Sequence, residues 1–237
     1  MQKAPIWVAI DTVDLAHART IASDCAPYVA GIKLGLEFFL AHGVSGVKSV
    51  VDACALPLFL DLKLHDIPNT VGKAMEGLLG LPIFMMTIHA AGGKAMIERA
   101  AKASQVLAQH NGGVRPMVIA VTVLTSLDTA DIHAIGVMDS PETQAVRLAK
   151  LAQAAGADGV VCSPHEIAAI RTACGKEFQL IVPGIRPAGA QMHDQKRAMT
   201  HKEALALGAT HLVIGRPITG ADDVAKAARE ISDSMNR

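Results

Sequence analysis

Eight short apolar runs, each followed by a segment of helical character, constrain the fold of this chain most strongly. Strands buried on both faces are continuously apolar, and strands that alternate with helices form parallel sheets covered by those helices. A count of eight predicts an α/β fold, a closed (β/α)8 barrel of the TIM type, with a doubly wound open sheet as the main alternative. The predicted strands are Ile6–Ile10, Gly31–Leu34, Leu58–Leu62, Ile83–Ile88, Met117–Val123, Gly159–Cys162, Gln179–Val182 and His211–Ile214.

The length of the chain agrees with one such barrel. It has 237 residues, and this fold typically takes about 250. Amphipathic segments at Gly93–Leu107, Pro141–Ala155 and Asp222–Met235 are predicted helices. No linker or low-complexity tract interrupts the pattern, so residues 1–237 are expected to form a single domain.

The predicted helices begin and end at residues that favour helix termini. Ser140 and Ser163 each precede a proline, an arrangement that suits the cap and the first position of a helix. Ser163 with Glu166, and Thr200 with Glu203, have the spacing of a capping box. Glycines that end helices in a left-handed conformation are expected at Gly156, Gly175 and Gly208.

Charge and cysteine usage exclude several functional classes. Lys plus Arg and Asp plus Glu both number 22, so no net field would draw the chain to nucleic acid or to an anionic membrane. The four cysteines are scattered without a C-x-x-C motif, which predicts reduced thiols, a cytoplasmic location and no cysteine-bound metal. No apolar run is long enough to cross a bilayer, and we expect no signal peptide.

Polar residues collect where the predicted strands end. Asp11 follows the first strand, Lys33 lies on the second, and Asp61 and Lys63 lie at the end of the third. In a (β/α)8 barrel this rim is where ligands bind. Strand ends are also polar simply because they reach the surface, but that explanation accounts poorly for four charges on three adjacent strand ends.

Residues 61–66, with the sequence DLKLHD, carry the most information about chemistry. Because strand side chains alternate, Asp61 and Lys63 share one face, and the leucines between and beside them share the other. The leucines are expected to pack on helices, which directs both charges into the barrel. An inert ion pair is the alternative, but ionisable clusters at strand ends favour catalysis. A lysine held by carboxylates stays protonated, which suits a proton donor rather than a base.

Two later segments are candidate phosphate-binding elements. Gly215 and Arg216 follow the eighth strand, where such barrels often bind phosphate at a short helix start. An ordinary turn with a solvated arginine is the alternative. Residues 183–200 form a long polar loop, and we expect Arg186 and Gln195 to close on the ligand as part of a lid. A mobile surface loop is the alternative there.

The motif that runs from Asp61 and Lys63 through Asp66, Ile67 and Pro68 to Thr70 resembles the signature of the orotidine 5′-phosphate decarboxylase family, in its short bacterial form. The resemblance covers almost the whole chain. It extends to Asp11 and Lys33 as the family's other charged positions, Thr125 and Ser126 as its pyrimidine-contacting segment, Pro183 to Pro187 with Asp194 and Gln195 as its lid, and Gly215 to Pro217 as its phosphate site.

This resemblance implies conversion of orotidine 5′-monophosphate to uridine 5′-monophosphate and carbon dioxide, in de novo pyrimidine synthesis, without a metal or organic cofactor. It implies that Lys63 stabilises and then protonates a carbanion within an alternating chain of charges, Lys33, Asp61, Lys63 and Asp66. It implies that Asp11 and Lys33 bind ribose hydroxyls. It also implies a homodimer in which Asp66 and Thr70 reach into the partner's site.

Two other functions are consistent with parts of this pattern. Sugar-phosphate decarboxylases and aldolases share Asp-x-Lys-x-x-Asp on the same barrel, but they use a metal ion and carry an acidic residue where this chain has Lys33. A non-catalytic phosphate-binding barrel would bind a ligand without turnover, but it needs no lysine buried between aspartates. His89, at the end of the fourth strand, is interpreted as a core histidine rather than a ligand contact.

Overall fold

The computed structural model describes residues 3–110, 112–185 and 199–235. The strands are β1 (Ala4–Ile10), β2 (Val29–Gly35), β3 (Leu58–Leu64), β4 (Ile83–His89), β5 (Met117–Val121), β6 (Gly159–Val161), β7 (Gln179–Val182) and β8 (His211–Ile214). The helices are α1 (Leu15–Cys25), α2 (Leu36–Cys54), α3 (Pro68–Glu76), α4 (Lys94–His110), α5 (Thr129–Ala134), α6 (Pro141–Ala154), α7 (Ile167–Cys174), α8 (His201–Ala206), α9 (Arg216–Thr219) and α10 (Val224–Met235). Short 3-10 turns cover Ala90–Gly92 and Pro164–Glu166.

The eight strands form one closed parallel barrel in sequence order. Closure occurs between β1 and β8, where Ile6 pairs with Leu212 and Val8 with Ile214. The predicted (β/α)8 barrel is therefore confirmed, and the open-sheet alternative is wrong. Within the described ranges, no helix is both long and apolar enough to span a membrane.

Side chains of the barrel strands alternate between two apolar layers. On β3, Phe59 belongs to the layer inside the barrel, whereas Leu58, Leu60 and Leu62 belong to the layer that packs against the helices. This alternation directs every second residue of a strand inward, and Asp61 follows Phe59 in that series. The inner layer consists of Trp7, Ala9, Phe59, Met85, Ile119, Ile181 and Val213.

The predicted helix termini are confirmed. The Ser140 hydroxyl accepts a hydrogen bond from the backbone N–H of Thr143 at the start of α6. Both capping boxes form, Ser163 with Glu166 and Thr200 with Glu203. The predicted left-handed glycines have positive φ: 86° at Gly156, 77° at Gly175 and 107° at Gly208.

The strand boundaries agree with the predicted ones to within about two residues, which is the ordinary uncertainty of element ends. The largest shortening is in β5, which ends at Val121 rather than Val123. Just beyond it, the carbonyl of Val161 accepts hydrogen bonds from both the N–H and the hydroxyl of Thr122. The Thr122 hydroxyl thus shares the acceptor of its own backbone N–H one residue beyond the end of β5.

An aromatic cluster lies at the amino-terminal end of the barrel. The rings of Trp7 and Phe84 stack with centroids 5.3 Å apart, and Phe59 meets Trp7 edge-on at 6.1 Å. The indole N–H of Trp7 donates to Nδ1 of His211 at 3.1 Å, so this nitrogen carries no proton. Burial lowers the pKa of His211 to about 4.

We expect His211 to make the fold sensitive to mild acid. The folded pKa lies below the ordinary value of 6.5, so neutral His211 stabilises the fold fully above pH 6.5, and this contribution is lost as the pH falls through 4. In His211→Gln, whose amide oxygen can still accept the indole N–H, the loss of unfolding free energy over this interval should be smaller by about 1–3 kcal/mol. Urea unfolding at a series of pH values measures the difference, and identical pH dependence in both proteins would contradict it.

Candidate active site

A cavity of about 290 Å³ opens at the carboxyl ends of the barrel strands. Its lining has three parts with different chemistry. Charged side chains line one side, namely Asp11, Lys33, Asp61 and Lys63. Apolar side chains line the interior end, among them Phe59, Val121, Val161, Ile181 and Val213. The ends of β7 and β8 supply a further part of the rim, with Pro183, Gly184, Gly215 and Arg216.

Two ammonium groups share one carboxylate oxygen in this cavity. Lys33 Nζ lies 2.8 Å and Lys63 Nζ 2.7 Å from Asp61 Oδ2. Asp11 extends the cluster more loosely, with its Oδ1 3.9 Å from Lys33 Nζ. The Asp61 side chain is only 5% exposed, whereas that of Lys63 is 31% exposed. Lys63 is therefore the member of the close pair that remains accessible from the cavity.

The charge state of Asp61 is set by opposing effects. Burial would raise the pKa of this carboxyl, but the positive charges of Lys33 and Lys63, together with hydrogen bonds from their ammonium groups, hold the pKa at about 2. Asp61 is therefore an anion throughout the neutral range. A fixed counter-ion thus holds both lysines at the cavity wall.

The backbone of Lys63 departs from regular strand geometry. Its φ is 50°, a left-handed value that is uncommon for a residue other than glycine. The pairing register of β3 with β4 shifts between Leu60 and Leu64, the stretch that contains this residue. The predicted shared face of Asp61 and Lys63 is confirmed by their contact, but a regular strand is not what brings the two side chains together.

Thr87, on β4, takes part in this cluster although no motif in the sequence predicts its role. The side chain is fully buried. Its hydroxyl donates to Asp61 Oδ1 at 2.8 Å and accepts from the backbone N–H of Lys63 at 2.9 Å. The available signal was a lone hydroxyl residue within the apolar run Ile83–Ile88.

Four of the other predicted ligand contacts, Thr125, Pro183, Gly215 and Arg216, line the cavity. Gly215 precedes α9, and the exposed Arg216 is the first residue of that helix. Thr125 lines the cavity, whereas the exposed Ser126 does not. Pro183 also lines it, while Arg186 and Gln195, the predicted lid residues, lie outside the described residues.

Asp66 and Thr70 lie away from the cavity of their own chain. Both residues are exposed, and neither lines the cavity. The Asp66 carboxylate accepts a hydrogen bond from the N–H of Ile67 at 2.6 Å. Among the residues the structure describes, Asp66 forms no ion pair, so only Lys33, Asp61 and Lys63 of the predicted four-residue charge chain contact one another within one subunit.

His89 lies beside the cluster rather than in the cavity. It is half-buried, and its ring centroid is 5.3 Å from that of His65. Burial lowers the pKa of His89, and the nearby His65 and Lys63 lower it further. The residue does not line the cavity, and it is less enclosed than the core position predicted for it.

Comparison with known proteins identifies close relatives along nearly the whole chain. Residues 4–231 match the family described as Orotidine 5′-phosphate decarboxylase / HUMPS family. An orotidine 5′-phosphate decarboxylase from Paramagnetospirillum magneticum is 51% identical over 231 residues, which cover 98% of each chain. One from Rhodospirillum rubrum is 50% identical and covers 99% of this chain and 95% of the relative. The crystal structure of orotidine 5′-phosphate decarboxylase from Lactobacillus acidophilus is 34% identical, with a TM-score of 0.85, over 98% of this chain and 99% of that one.

We expect Lys33→Met to raise the pKa of Asp61 by at least about one unit, because it removes the larger of the two favourable charge interactions from a buried carboxyl. Carbon NMR titration of labelled aspartate carboxyls measures this pKa. Lys48→Met provides the matched control, since Lys48 forms an exposed ion pair with Asp52 and does not line the cavity. An Asp61 pKa unchanged in Lys33→Met would show that Lys63 alone holds the carboxylate.

Proposed function

The chain belongs to the orotidine 5′-phosphate decarboxylase / HUMPS family, and from that membership we propose that it converts orotidine 5′-monophosphate to uridine 5′-monophosphate and carbon dioxide in pyrimidine nucleotide synthesis. One observation carries the assignment within the family. A buried carboxylate, Asp61, holds two ammonium groups against a cavity with an apolar interior end. The relatives named above are orotidine 5′-phosphate decarboxylases by name, and they cover almost the whole chain.

The reaction explains why a fixed ammonium group is needed. Breaking the bond between the pyrimidine ring and its carboxylate releases carbon dioxide and leaves the electron pair on the ring carbon. No adjacent carbonyl delocalises that charge simply, so the enzyme must stabilise it by preorganised electrostatics. We assign this role to Lys63, whose Nζ then transfers a proton to the same carbon to complete the product.

Asp61 fixes the position of the Lys63 ammonium group for this step. It would face the substrate carboxylate and keep the ammonium group at a defined position before carbon dioxide leaves. Its fixed charge also means that no reorganisation is required as the carbanion forms, which is the main advantage of a preorganised site. Lys33 supports the same arrangement from the other side of Asp61 Oδ2.

The phosphate, the ribose and the pyrimidine of the nucleotide are each assigned to a different part of the cavity lining. The phosphate is assigned to the glycine-rich rim of β7 and β8, where Arg216 can supply a bidentate contact. The ribose hydroxyls are assigned to Asp11 and Lys33. The pyrimidine is assigned to the apolar end with Thr125 at its edge. By resemblance, Pro183, Gly215, Ser126, Arg186 and Gln195 complete the binding set.

The residues around Asp61 support chemistry without a metal ion. Asp61 Oδ2 already accepts two ammonium groups, and Lys33 places a positive charge where a metal-dependent relative would carry an acidic ligand. A cation added at this point would be repelled by both lysines. This property separates the proposal from the sugar-phosphate decarboxylases and aldolases on the same barrel.

We also propose a homodimer in which Asp66 and Thr70 complete the partner's site. Both side chains are exposed and do not line the cavity of their own chain, yet they belong to the same short motif as Asp61 and Lys63. The exposed side chain of Ile67, 67% accessible, lies between them and suits burial against a second subunit.

The four cysteines suit a reducing compartment, which we propose to be the cytoplasm. All four are free, and three of them are buried. Burial raises the pKa of Cys25 to about 12, so this thiol stays protonated and unreactive.

Lys63→Ala tests the proposed reaction. Loss of the ammonium group should lower kcat by at least about 10³-fold, because electrostatic stabilisation and proton donation are removed together. Ultraviolet absorbance measures the consumption of orotidine 5′-monophosphate, with and without a chelator. Lys48→Ala, at an exposed lysine, should keep the wild-type rate. No turnover by the wild type would refute the function, and chelator-sensitive turnover would refute the metal-free mechanism.

Mixed dimers test the shared site. A dimer of Lys63→Ala with Asp66→Asn should contain one intact site and keep about half of the wild-type activity, since a two-fold dimer has two equivalent sites. A dimer of wild type with the double variant Lys63→Ala, Asp66→Asn should be nearly inactive, because each site then lacks one residue. If Asp66 served its own subunit, the two mixtures would give the opposite result.

A further inference from the structure

Thr87 contacts both members of the reactive ion pair at once. It lies on β4, which pairs with β3, and its side chain is 0% exposed. The hydroxyl lies 2.8 Å from Asp61 Oδ1 and 2.9 Å from the backbone nitrogen of Lys63. It does not line the cavity, so it has no direct access to a ligand.

The direction of these two hydrogen bonds is fixed by their partners. An ionised carboxylate only accepts, and a backbone N–H only donates. The single hydroxyl proton of Thr87 therefore goes to Asp61, and a lone pair receives the Lys63 N–H. A hydroxyl, which donates and accepts from one position, satisfies both groups.

The bond to Asp61 determines which oxygen faces the lysines. Thr87 occupies Oδ1, and Oδ2 accepts both Lys33 and Lys63, at 2.8 and 2.7 Å. The Thr87 hydroxyl thus holds Oδ1 and leaves Oδ2 as the common acceptor of the two ammonium groups. The orientation of the charge cluster thus depends on a group outside the cavity.

The bond to Lys63 holds an unusual backbone conformation. Lys63 has a φ of 50°, and the β3–β4 register shifts around it. Non-glycine residues persist in this conformation only where their surroundings enforce it, and such residues cluster at functional sites. Thr87 supplies a hydrogen-bond partner to the N–H at the point where the ladder is interrupted.

We propose that Thr87 is a positioning residue that sets the Lys63 ammonium group from two directions, through the Lys63 backbone and through the carboxylate of Asp61. The inference rests on the proposed decarboxylation, and it adds a residue that touches no part of the substrate. Displacement of Lys63 by a fraction of an ångström would weaken carbanion stabilisation while leaving the phosphate and ribose contacts in place.

Thr87→Val, which has nearly the same shape but no hydroxyl, tests the proposal. We expect kcat for orotidine 5′-monophosphate to fall about 10- to 100-fold, while KM and the affinity for uridine 5′-monophosphate stay within about threefold of wild type. Thr87→Ser keeps the hydroxyl and should retain most of kcat. Each kcat is divided by the concentration of sites that bind uridine 5′-monophosphate, so unfolded protein does not lower it.

Thr87→Cys keeps the test informative if the valine variant does not fold. Its thiol is a weak donor and acceptor, so kcat should fall between the serine and valine values. If the wild type turns over substrate and kcat is undiminished in Thr87→Val or Thr87→Cys, the proposed role of Thr87 is wrong, while the proposed function stands. Absence of turnover by the wild type would overturn the proposed function instead.

Discussion

The site depends on one buried carboxylate with two positive partners. Removing Asp61 from water is costly, and the structure compensates with two ammonium groups on Oδ2 and a hydroxyl on Oδ1. The result is a carboxyl whose pKa is about 2 despite its burial. Because the anion is permanent, Lys63 has a fixed counter-ion on one side and an open cavity on the other.

The alternation and register of the barrel strands bring these charged groups together. Alternation along β3 directs Asp61 inward above Phe59, while the leucines between pack under the helices. The register of β2 with β3 pairs Lys33 with Phe59, two residues below Asp61. The long side chain of Lys33 therefore runs along the inner wall and brings its ammonium group level with the carboxylate. Strands β2 and β3 hold the partners of the ion pairs, and the Lys63 backbone departs from regular strand geometry.

The proposed catalytic and phosphate-binding residues lie at the ends of different strands around the cavity. In the proposed reaction, the charges closest to the reacting carbon come from β2 and β3, whereas the glycine-rich rim follows β7 and β8. A nucleoside monophosphate matches this arrangement, because its phosphate lies at the end of the molecule remote from the base. In the proposed reaction, binding energy from the phosphate would hold the base against Lys63. Asp66 and Thr70 are exposed and do not line the cavity of their own chain, which is the physical basis for the proposed second subunit.

The sequence by itself determined the number and order of the strands, the helix termini, and the charged residues at the strand ends, because these depend on periodicity and on neighbours close in the chain. It also predicted that Asp61 and Lys63 share a face. Only the tertiary structure decided that Lys33 and Lys63 bind the same oxygen, that Lys63 adopts a left-handed backbone, and that Thr87 supports both partners. These contacts join residues on different strands, and they depend on the register and local distortion of β2, β3 and β4, which no local pattern specifies.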